Sequence, residues 1–263
     1  MFKPLLAGIC IGLANLVPGI SGASVAVITN QYARIMSQCD AVLNRQFNSL
    51  DIGYLIRVIG AAVVGFLIFA NPLYFIMIHY EAVALMAIGG LVFGSINSVK
   101  IAPNPKPLVI QIVHPLFVAG VAVLIACITL NGNHGAVSSE VPVVVLFFSG
   151  LVAMVAMLIP GISGSLFLVV MGVYTPILNG IKTMSLSILL PFALGAAVGG
   201  IGTVKLVQWA LKNKPHDCQA LVSGLLVGSV VFMIVSSGNI GWLGIGVFFG
   251  MALLSWVLSR VKR

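Results

Sequence analysis

Charged side chains are scarce in this sequence. Only 7% of its 263 residues are Asp, Glu, Lys or Arg, whereas 60% are hydrophobic and the mean hydropathy is +1.18. So few polar side chains cannot cover the surface of a soluble globule of this length. Several apolar stretches also approach the roughly 20 residues that a helix needs to cross a bilayer. The composition therefore predicts an all-α integral membrane protein with no soluble domain attached.

The sequence has few acidic residues, and its cysteines are not spaced as metal ligands or disulfide partners usually are. Five residues are acidic, and none is predicted to lie deep in a span, so the sequence shows no intramembrane proton relay. Glu81, Glu140 and His114 remain candidates for proton transfer near an interface. The four cysteines are scattered without CxxC or His-paired spacing, so we expect no metal site, no disulfide framework and no cofactor.

A continuous basic face is absent as well. The net charge is +8, but the basic residues stand singly or in short groups beside apolar segments. Nucleic acid is therefore not an expected partner, and these residues are interpreted as signals of membrane topology. The N-terminal segment lacks a small-residue cleavage site, so we expect it to belong to the fold.

The sequence contains an internal repeat. Residues 16–36, LVPGISGASVAVITNQYARIM, resemble residues 158–178, LIPGISGSLFLVVMGVYTPIL. Two shorter matches follow in the same order: GAAVVG returns as GAAVGG, and GLVFGS returns as GLLVGS. The chain is thus predicted to consist of two homologous halves, 1–141 and 142–263. The residues that recur at an offset of 142 include Pro18, Gly19, Ile20, Ser21, Gly22, Tyr32 and Ile35.

Each half is predicted to contain one PGISG unit and three transmembrane helices. The unit is expected to form a re-entrant helix hairpin, at about residues 4–36 and again at about 142–178. As a helix, the arm from Pro4 to Val17 would be about 21 Å long, short of the roughly 30 Å hydrocarbon layer, and proline and glycine then break it. The predicted transmembrane helices lie at about 53–70, 82–98, 107–130, 187–210, 217–235 and 241–258.

The distribution of basic residues predicts that the two halves are inverted. With hairpins, each half crosses the membrane three times, and 12 of the 13 Lys and Arg residues fall on one side, with Lys182 opposite. If each unit crossed once, the halves would be parallel and the split would be seven against six. The positive-inside rule favours inversion and places both termini on the cytoplasmic side of the cytoplasmic (inner) membrane. Inverted repeats with broken helices are typical of secondary transporters.

The two PGISG motifs form the candidate site. The backbone amides after each break start a new helix whose positive end attracts anions, and Arg34 would add charge at the cytoplasmic mouth. A plainer interpretation is that the motif turns a hairpin and its serines cap a helix, but its recurrence favours a ligand role. Tyr32 and Tyr174 are interpreted as interfacial anchors. The candidate anion-binding residues are Asn15, Gly19, Ser21, Gly22, Ser24, Arg34, Gly161, Ser163, Gly164 and Ser165.

The segments GLANLVPGISGASVAVITNQYARIM and AMLIPGISGSLFLVVMGVYTPIL resemble the polyprenyl-phosphate transporter family of bacteria and archaea. The resemblance covers nearly the whole chain. It implies a flippase that moves undecaprenyl phosphate across the cytoplasmic membrane, so that this lipid carrier is reused in cell-envelope polymer synthesis. The coupling ion, proton or sodium, stays open. The family pattern continues as G-x-Y-E-R, whereas Ala33 stands here before Arg34.

Two other functions share parts of this pattern. A membrane-embedded polyprenyl-pyrophosphate phosphatase also has inverted repeats and a PG-x-S loop. Its chemistry needs acidic residues and an arginine around the pyrophosphate, and the loops PGISGAS and PGISGSL contain neither, so we do not expect an enzyme. A small-anion channel or transporter would use the same helix ends. A lateral opening towards lipid at the two breaks would distinguish the flippase from this alternative.

Overall fold

A computed structural model describes residues 2–15, 21–96, 141–238 and 240–261, together with residues 99, 101, 102, 111, 112, 114 and 117. Within these residues every regular element is a helix, as the composition predicts. A 3₁₀ turn, Phe47–Ser49, precedes the fourth α-helix. The α-helices are α1 (Phe2–Ala14), α2 (Gly22–Ile28), α3 (Tyr32–Leu43), α4 (Ile52–His79), α5 (Glu81–Ser95), α6 (Val143–Leu158), α7 (Gly164–Val170), α8 (Tyr174–Lys182), α9 (Leu186–Asn213), α10 (Pro215–Ser236) and α11 (Trp242–Val261).

Five predicted transmembrane helices correspond to helices α4, α5, α9, α10 and α11, and the sixth, 107–130, falls almost wholly outside the described residues. Helices α4, α9 and α10 contain segments long and apolar enough to cross a membrane, and α1, α5, α6 and α11 are shorter apolar helices. Large apolar side chains such as Leu67, Leu186 and Phe249 are exposed on their outer faces. These faces suit a lipid solvent, and the protein is a membrane protein.

Helix α4 is longer than the sequence predicts. The predicted helix ends at residue 70, whereas α4 continues through Pro72 to His79. Helix α9 also contains a proline, Pro191, and runs without interruption from Leu186 to Asn213. A proline removes one backbone donor, and apolar membrane helices tolerate this loss where neighbouring groups satisfy the freed carbonyl.

Helices α1 and α4 lie side by side and run in the same direction. A Cβ on Gly8 would collide with the carbonyl oxygen of Val58, and a Cβ on Gly12 would collide with that of Ala62. Glycine permits this close approach of two backbones. Both helices advance by four residues between the two contacts, so they are parallel. Helix α4 therefore begins at the same level as α1.

The second half repeats this packing. A Cβ on Gly195 of α9 would collide with the carbonyl oxygen of Phe147 in α6, and a Cβ on Gly199 would lie 2.5 Å from that of Leu151. Helices α6 and α9 are therefore parallel. Residues 159–185 therefore return the chain towards the start of α6.

Helices α5 and α11 form a third parallel pair. Backbone contacts join Gly90 to Phe248 and Gly94 to Ala252, again with an advance of four residues on each helix. Gly90 opens the GLVFGS segment. Its repeat counterpart, Gly224 of GLLVGS, makes the equivalent close contact with the carbonyl oxygen of Phe117.

The main hydrophobic core joins the two halves of the chain. Val27 of α2 and Tyr32 of α3 are buried together with Val204 of α9 and Leu226 of α10. Burying apolar surface of this kind stabilises a packed arrangement even where lipid surrounds it, because close packing gains dispersion contacts. The segment that follows the first motif is thus held against helices of the second half.

Candidate functional site

The second motif makes a tight turn against α10. Pro160 is fully buried, and Gly161 has a φ of +92°. A Cβ on Gly161 would lie 2.5 Å from the Cβ of Leu225. Residues with a side chain rarely adopt a positive φ, and here the space is also occupied. The turn therefore requires glycine, and it fixes the end of α6 against α10.

The first motif starts α2 with caps from its own chain. Ser21 is the N-cap, and its Oγ accepts a hydrogen bond from the Ala23 amide at 3.1 Å. The Asn15 side chain accepts from the Gly22 amide at 3.2 Å. The first amides of α2 are therefore already bonded within the protein. The predicted site residue Gly19 lies outside the described residues.

Side chains of the first motif bond to the backbone of the second. The Ser21 hydroxyl donates to the carbonyl oxygen of Met157 at 3.0 Å. The Ser24 hydroxyl accepts from the amide of Gly161 at 2.7 Å. Both serines are buried. The structure thus brings the two motifs into direct contact, although they lie 142 residues apart in the sequence.

Tyr32 takes part in the same contact. Its phenol donates to the carbonyl oxygen of Leu158 at 2.9 Å, and only 4% of the residue is exposed. An interfacial anchor would be at the surface, so the structure gives Tyr32 a different place from the one the sequence predicts. The counterpart Tyr174 is 37% exposed. The burial of Tyr32 follows from the packing of α3 against the second half.

The hydroxyl groups of the second motif are paired with each other. Ser163 Oγ lies 2.9 Å from Ser165 Oγ, and the Ser163 side chain does not cap α7. Ser163 is buried, whereas Ser165 is exposed. A Cβ on Gly164 would lie 2.6 Å from the carbonyl oxygen of Ala153, so the start of α7 packs closely on α6. Two hydroxyls and the backbone of a glycine-rich turn therefore lie together at this point.

Arg34 is grouped with residues that the sequence did not associate with it. Its Nη2 donates to Asp51 Oδ2 at 2.7 Å, and its guanidinium carbon lies 4.0 Å from the ring centroid of Tyr54. The Arg34 and Asp51 side chains are 50% and 41% exposed, so the ion pair contributes only about 0–1 kcal/mol to stability. The structure places Arg34 with these two residues and not among the bonded motif serines.

Asp51 is itself held in place. Its Oδ1 accepts from the Tyr54 amide at 2.8 Å and caps α4, and its own amide donates to Gln38 Oε1 at 2.7 Å. The Tyr54 hydroxyl donates to Gln31 Oε1 at 3.0 Å. This cluster joins α3 to the start of α4. These bonds hold the Asp51 carboxylate in a fixed position beside Arg34.

Other titratable residues lie away from the motifs. His114 Nε2 is 3.4 Å from Asp217 Oδ1, and Glu81 is the exposed first residue of α5. Glu140 lies outside the described residues. Where side chains are described, no three His, Cys, Asp or Glu residues form a group that could hold a metal ion.

A family model described as undecaprenyl phosphate translocase-like matches residues 11–243, a range that includes both PGISG motifs. The chain belongs to this family. The match therefore extends over most of both halves of the chain.

Two curated relatives carry the name polyprenyl-phosphate transporter. The protein of Vibrio cholerae serotype O1 is 25% identical over 240 residues, which are 86% of this chain and 75% of the relative. The protein of Staphylococcus aureus is 28% identical over 272 residues, with 98% and 95% covered. No solved structure matches this undecaprenyl phosphate translocase-like chain.

Two residues of the site were missed as such from the sequence. Tyr32 recurs with the motif at the same offset as Ser21, and that recurrence is the signal that would have found it. Asp51 gives no such signal, because it lies 17 residues from Arg34 and outside the motif. The acidic partner of Arg34 in this chain is Asp51, at the start of α4.

Proposed function

We propose that this protein is a membrane transporter that moves polyprenyl phosphate, undecaprenyl phosphate in particular, between the leaflets of the cytoplasmic membrane. The family membership and the names of both relatives support this substrate. Transport returns the lipid carrier for cell-envelope polymer synthesis. The main structural support is the contact between the two PGISG motifs, in which Ser24 Oγ lies 2.7 Å from the Gly161 amide nitrogen. Paired broken helices at the centre of a bilayer are how secondary transporters build a site.

The two halves, 1–141 and 142–263, are proposed to be inverted repeats that each begin with a re-entrant hairpin. The parallel packing of α1 on α4 supports the first hairpin, because α4 begins at the same level as α1. The packing of α6 on α9 supports the second in the same way. A unit that crossed the membrane once would leave these pairs antiparallel.

The parallel pair α5 and α11 gives independent support for inversion. With hairpins, three crossings separate the two helices: residues 107–130, α9 and α10. An odd number of intervening crossings gives two helices the same direction. Units that each crossed once would add a fourth crossing and make α5 and α11 antiparallel. The same topology places both termini in the cytoplasm, where the positive-inside rule prefers them.

The phosphate is proposed to bind at the second motif in the conformation described above. The hydroxyls of Ser163 and Ser165 lie 2.9 Å apart, and neither caps α7, so both can turn towards a phosphate oxygen. Gly161 and Gly164 lie beside them and let this turn pack closely on α10 and α6. Separation of the motifs would free the hydroxyls of Ser21 and Ser24 from the second half. These hydroxyls, with Asn15 and Gly22 beside them, are proposed to form the equivalent half-site.

Arg34 is proposed to meet the phosphate at the cytoplasmic end of the path. Its guanidinium is exposed and already holds a carboxylate, which has the charge and geometry of a phosphate substitute. The incoming headgroup therefore displaces Asp51 from Arg34, and Asp51 recovers Arg34 when the lipid leaves. The isoprenoid tail stays in the bilayer beside the apolar outer faces of the helices throughout.

Reconstitution in liposomes tests the proposed function. Vesicles carry undecaprenyl phosphate in both leaflets, and an external phosphatase removes the headgroups that it reaches. Empty vesicles should lose about half of the phosphate, and vesicles with the transporter should lose nearly all of it, with proton and sodium gradients imposed in separate arms. Uptake of inorganic phosphate without lipid movement would identify an anion transporter instead. Release of phosphate from undecaprenyl pyrophosphate by the protein alone would identify a phosphatase.

A further inference from the structure

The repeat places two tyrosines at equivalent positions, and the structure treats them differently. Tyr32 and Tyr174 begin the third helix of their units at an offset of 142 residues. Tyr32 is 4% exposed and donates to the carbonyl oxygen of Leu158 at 2.9 Å. Tyr174 is 37% exposed. The two tyrosines therefore differ in burial, and Tyr32 is the one that the described residues show bonded to the other half of the chain.

The other contacts between the motifs show the same asymmetry. The first motif reaches across with the hydroxyls of Ser21 and Ser24, which bond the backbone of the second. In the second motif, the hydroxyl of Ser163 is paired with Ser165 instead. The counterpart of Ser24 is Leu166, which has no hydroxyl. Among the described residues, the three bonds across the contact use side chains of the first half, namely Ser21, Ser24 and Tyr32.

The locked contact has a defined side. Tyr32 stands at the start of α3, two residues before Arg34, whose ion pair with Asp51 marks the cytoplasmic end in the proposed topology. By inversion, Tyr174 stands on the outer side. A bond from Tyr32 to α6 therefore closes the route between the motifs and the cytoplasm. In the second motif, residues 160–163 are buried and Ser165 is exposed.

We propose that Tyr32 is the cytoplasmic latch of the transport cycle, and that Tyr174 is its counterpart on the outer side. In the described state the Tyr32 latch is closed and the site faces outwards. After the phosphate binds, the bond from Tyr32 to Leu158 breaks, the motifs separate on the cytoplasmic side, and Tyr174 becomes buried. This inference rests on the proposed function for its direction. The one-sided contact itself is independent of the substrate.

Labelling of an engineered cysteine tests the latch. The parent variant has its four native cysteines replaced and carries Ser24→Cys, a reporter at a position buried in the contact between the motifs. A membrane-impermeant maleimide is applied from the cytoplasmic side in inside-out vesicles. Tyr32→Phe removes one hydroxyl at constant volume and should speed labelling about two- to tenfold, as the loss of one hydrogen bond predicts.

Tyr174→Phe is the matched control, since it makes the same chemical change in the same repeat position. It should leave cytoplasmic labelling of the reporter unchanged or slower. Equal acceleration by both variants, or no acceleration by Tyr32→Phe, would overturn the latch. A second reporter, Ser165→Cys, takes the place of Ser24→Cys in a separate parent variant. From the outside, it should react more slowly when Tyr32→Phe is added than in that parent.

The two proposals fail separately. If liposomes show no movement of undecaprenyl phosphate but the labelling follows the expected pattern, the latch stands and the substrate is wrong. If the lipid moves but Tyr32→Phe and Tyr174→Phe behave alike, the substrate stands and the latch is wrong.

Discussion

Asp51 holds Arg34 by an ion pair of 2.7 Å while its other oxygen caps α4 through the amide of Tyr54. The carboxylate is therefore fixed by the fold. The Arg34 side chain is 50% exposed, which leaves its guanidinium accessible to a second anion. The relationship turns a feature of helix capping into a prediction about the substrate.

Changing the two charges separately should alter transport in opposite directions. Arg34→Gln removes a charge-assisted bond worth about 1.5–3 kcal/mol, so the lipid concentration for half-maximal transport should rise about tenfold or more. Asp51→Asn keeps a good N-cap for α4 and removes the competing carboxylate, so that concentration should fall. The double variant should match Arg34→Gln alone. A rise with Asp51→Asn would show that the carboxylate positions Arg34 and does not compete with the substrate.

The serine pair of the second motif can be tested against a matched pair elsewhere. Ser163→Ala with Ser165→Ala removes two hydroxyls that lie 2.9 Å apart, and transport should fall at least about tenfold because each bond to a charged phosphate is worth about 1.5–3 kcal/mol. Ser185 and Ser187 also lie 2.9 Å apart, at the start of α9 and outside the motif. Their replacement by alanine should leave transport unchanged. Equal losses of transport in both double variants would show that the phosphate does not bind at the second motif.

Helices α4, α9 and α10 could be predicted from the sequence because their apolar runs are long enough to cross a membrane. Helix α10 agrees with its prediction to within two residues at each end. The sequence did not predict that α4 extends beyond Pro72. A proline ends a membrane helix only where no neighbouring group satisfies the backbone carbonyl that loses its hydrogen bond. That condition depends on packing and is absent from the local sequence.

The candidate site was only partly predictable. The recurrence of PGISG predicted that both motifs belong to one site, and Ser24 and Gly161 are bonded to each other. The burial of Tyr32 was not predictable, because it depends on helices of the second half more than 100 residues away. The sequence also gives Tyr32 and Tyr174 the same position in the repeat, so it does not indicate that Tyr32 is buried while Tyr174 is 37% exposed.

Gly161 should be far less tolerant of substitution than another glycine with positive φ. Gly161→Ala combines a φ of +92° with a Cβ placed 2.5 Å from that of Leu225, so we expect a cost of about 3 kcal/mol or more. Gly238 has a φ of +63° and no atom within 4 Å of an added Cβ, so Gly238→Ala should cost only about 1–2 kcal/mol. Thermal unfolding in detergent compares the two. Similar melting temperatures would show that the turn at Gly161 can move away from α10.

The inverted topology makes its strongest predictions at Asn44 and Tyr80. Hairpins place Asn44 in the cytoplasm and Tyr80 outside, whereas units that crossed once would reverse both positions. Asn213 is cytoplasmic in either case and calibrates the labelling. All three residues are exposed, so single cysteines there should react readily.

The measurement is maleimide labelling from each side in a variant without native cysteines. Cys39 is the native cysteine nearest to Asn44 in sequence, so its replacement removes a background signal. Burial raises the pKa of the Cys39 thiol, which slows its reaction with maleimide at neutral pH. We expect Asn44→Cys and Asn213→Cys to react only from the cytoplasmic side, and Tyr80→Cys only from outside. Reaction of Tyr80→Cys from the cytoplasm would contradict the hairpins, and with them the assignment of Tyr32 to the cytoplasmic side of the site.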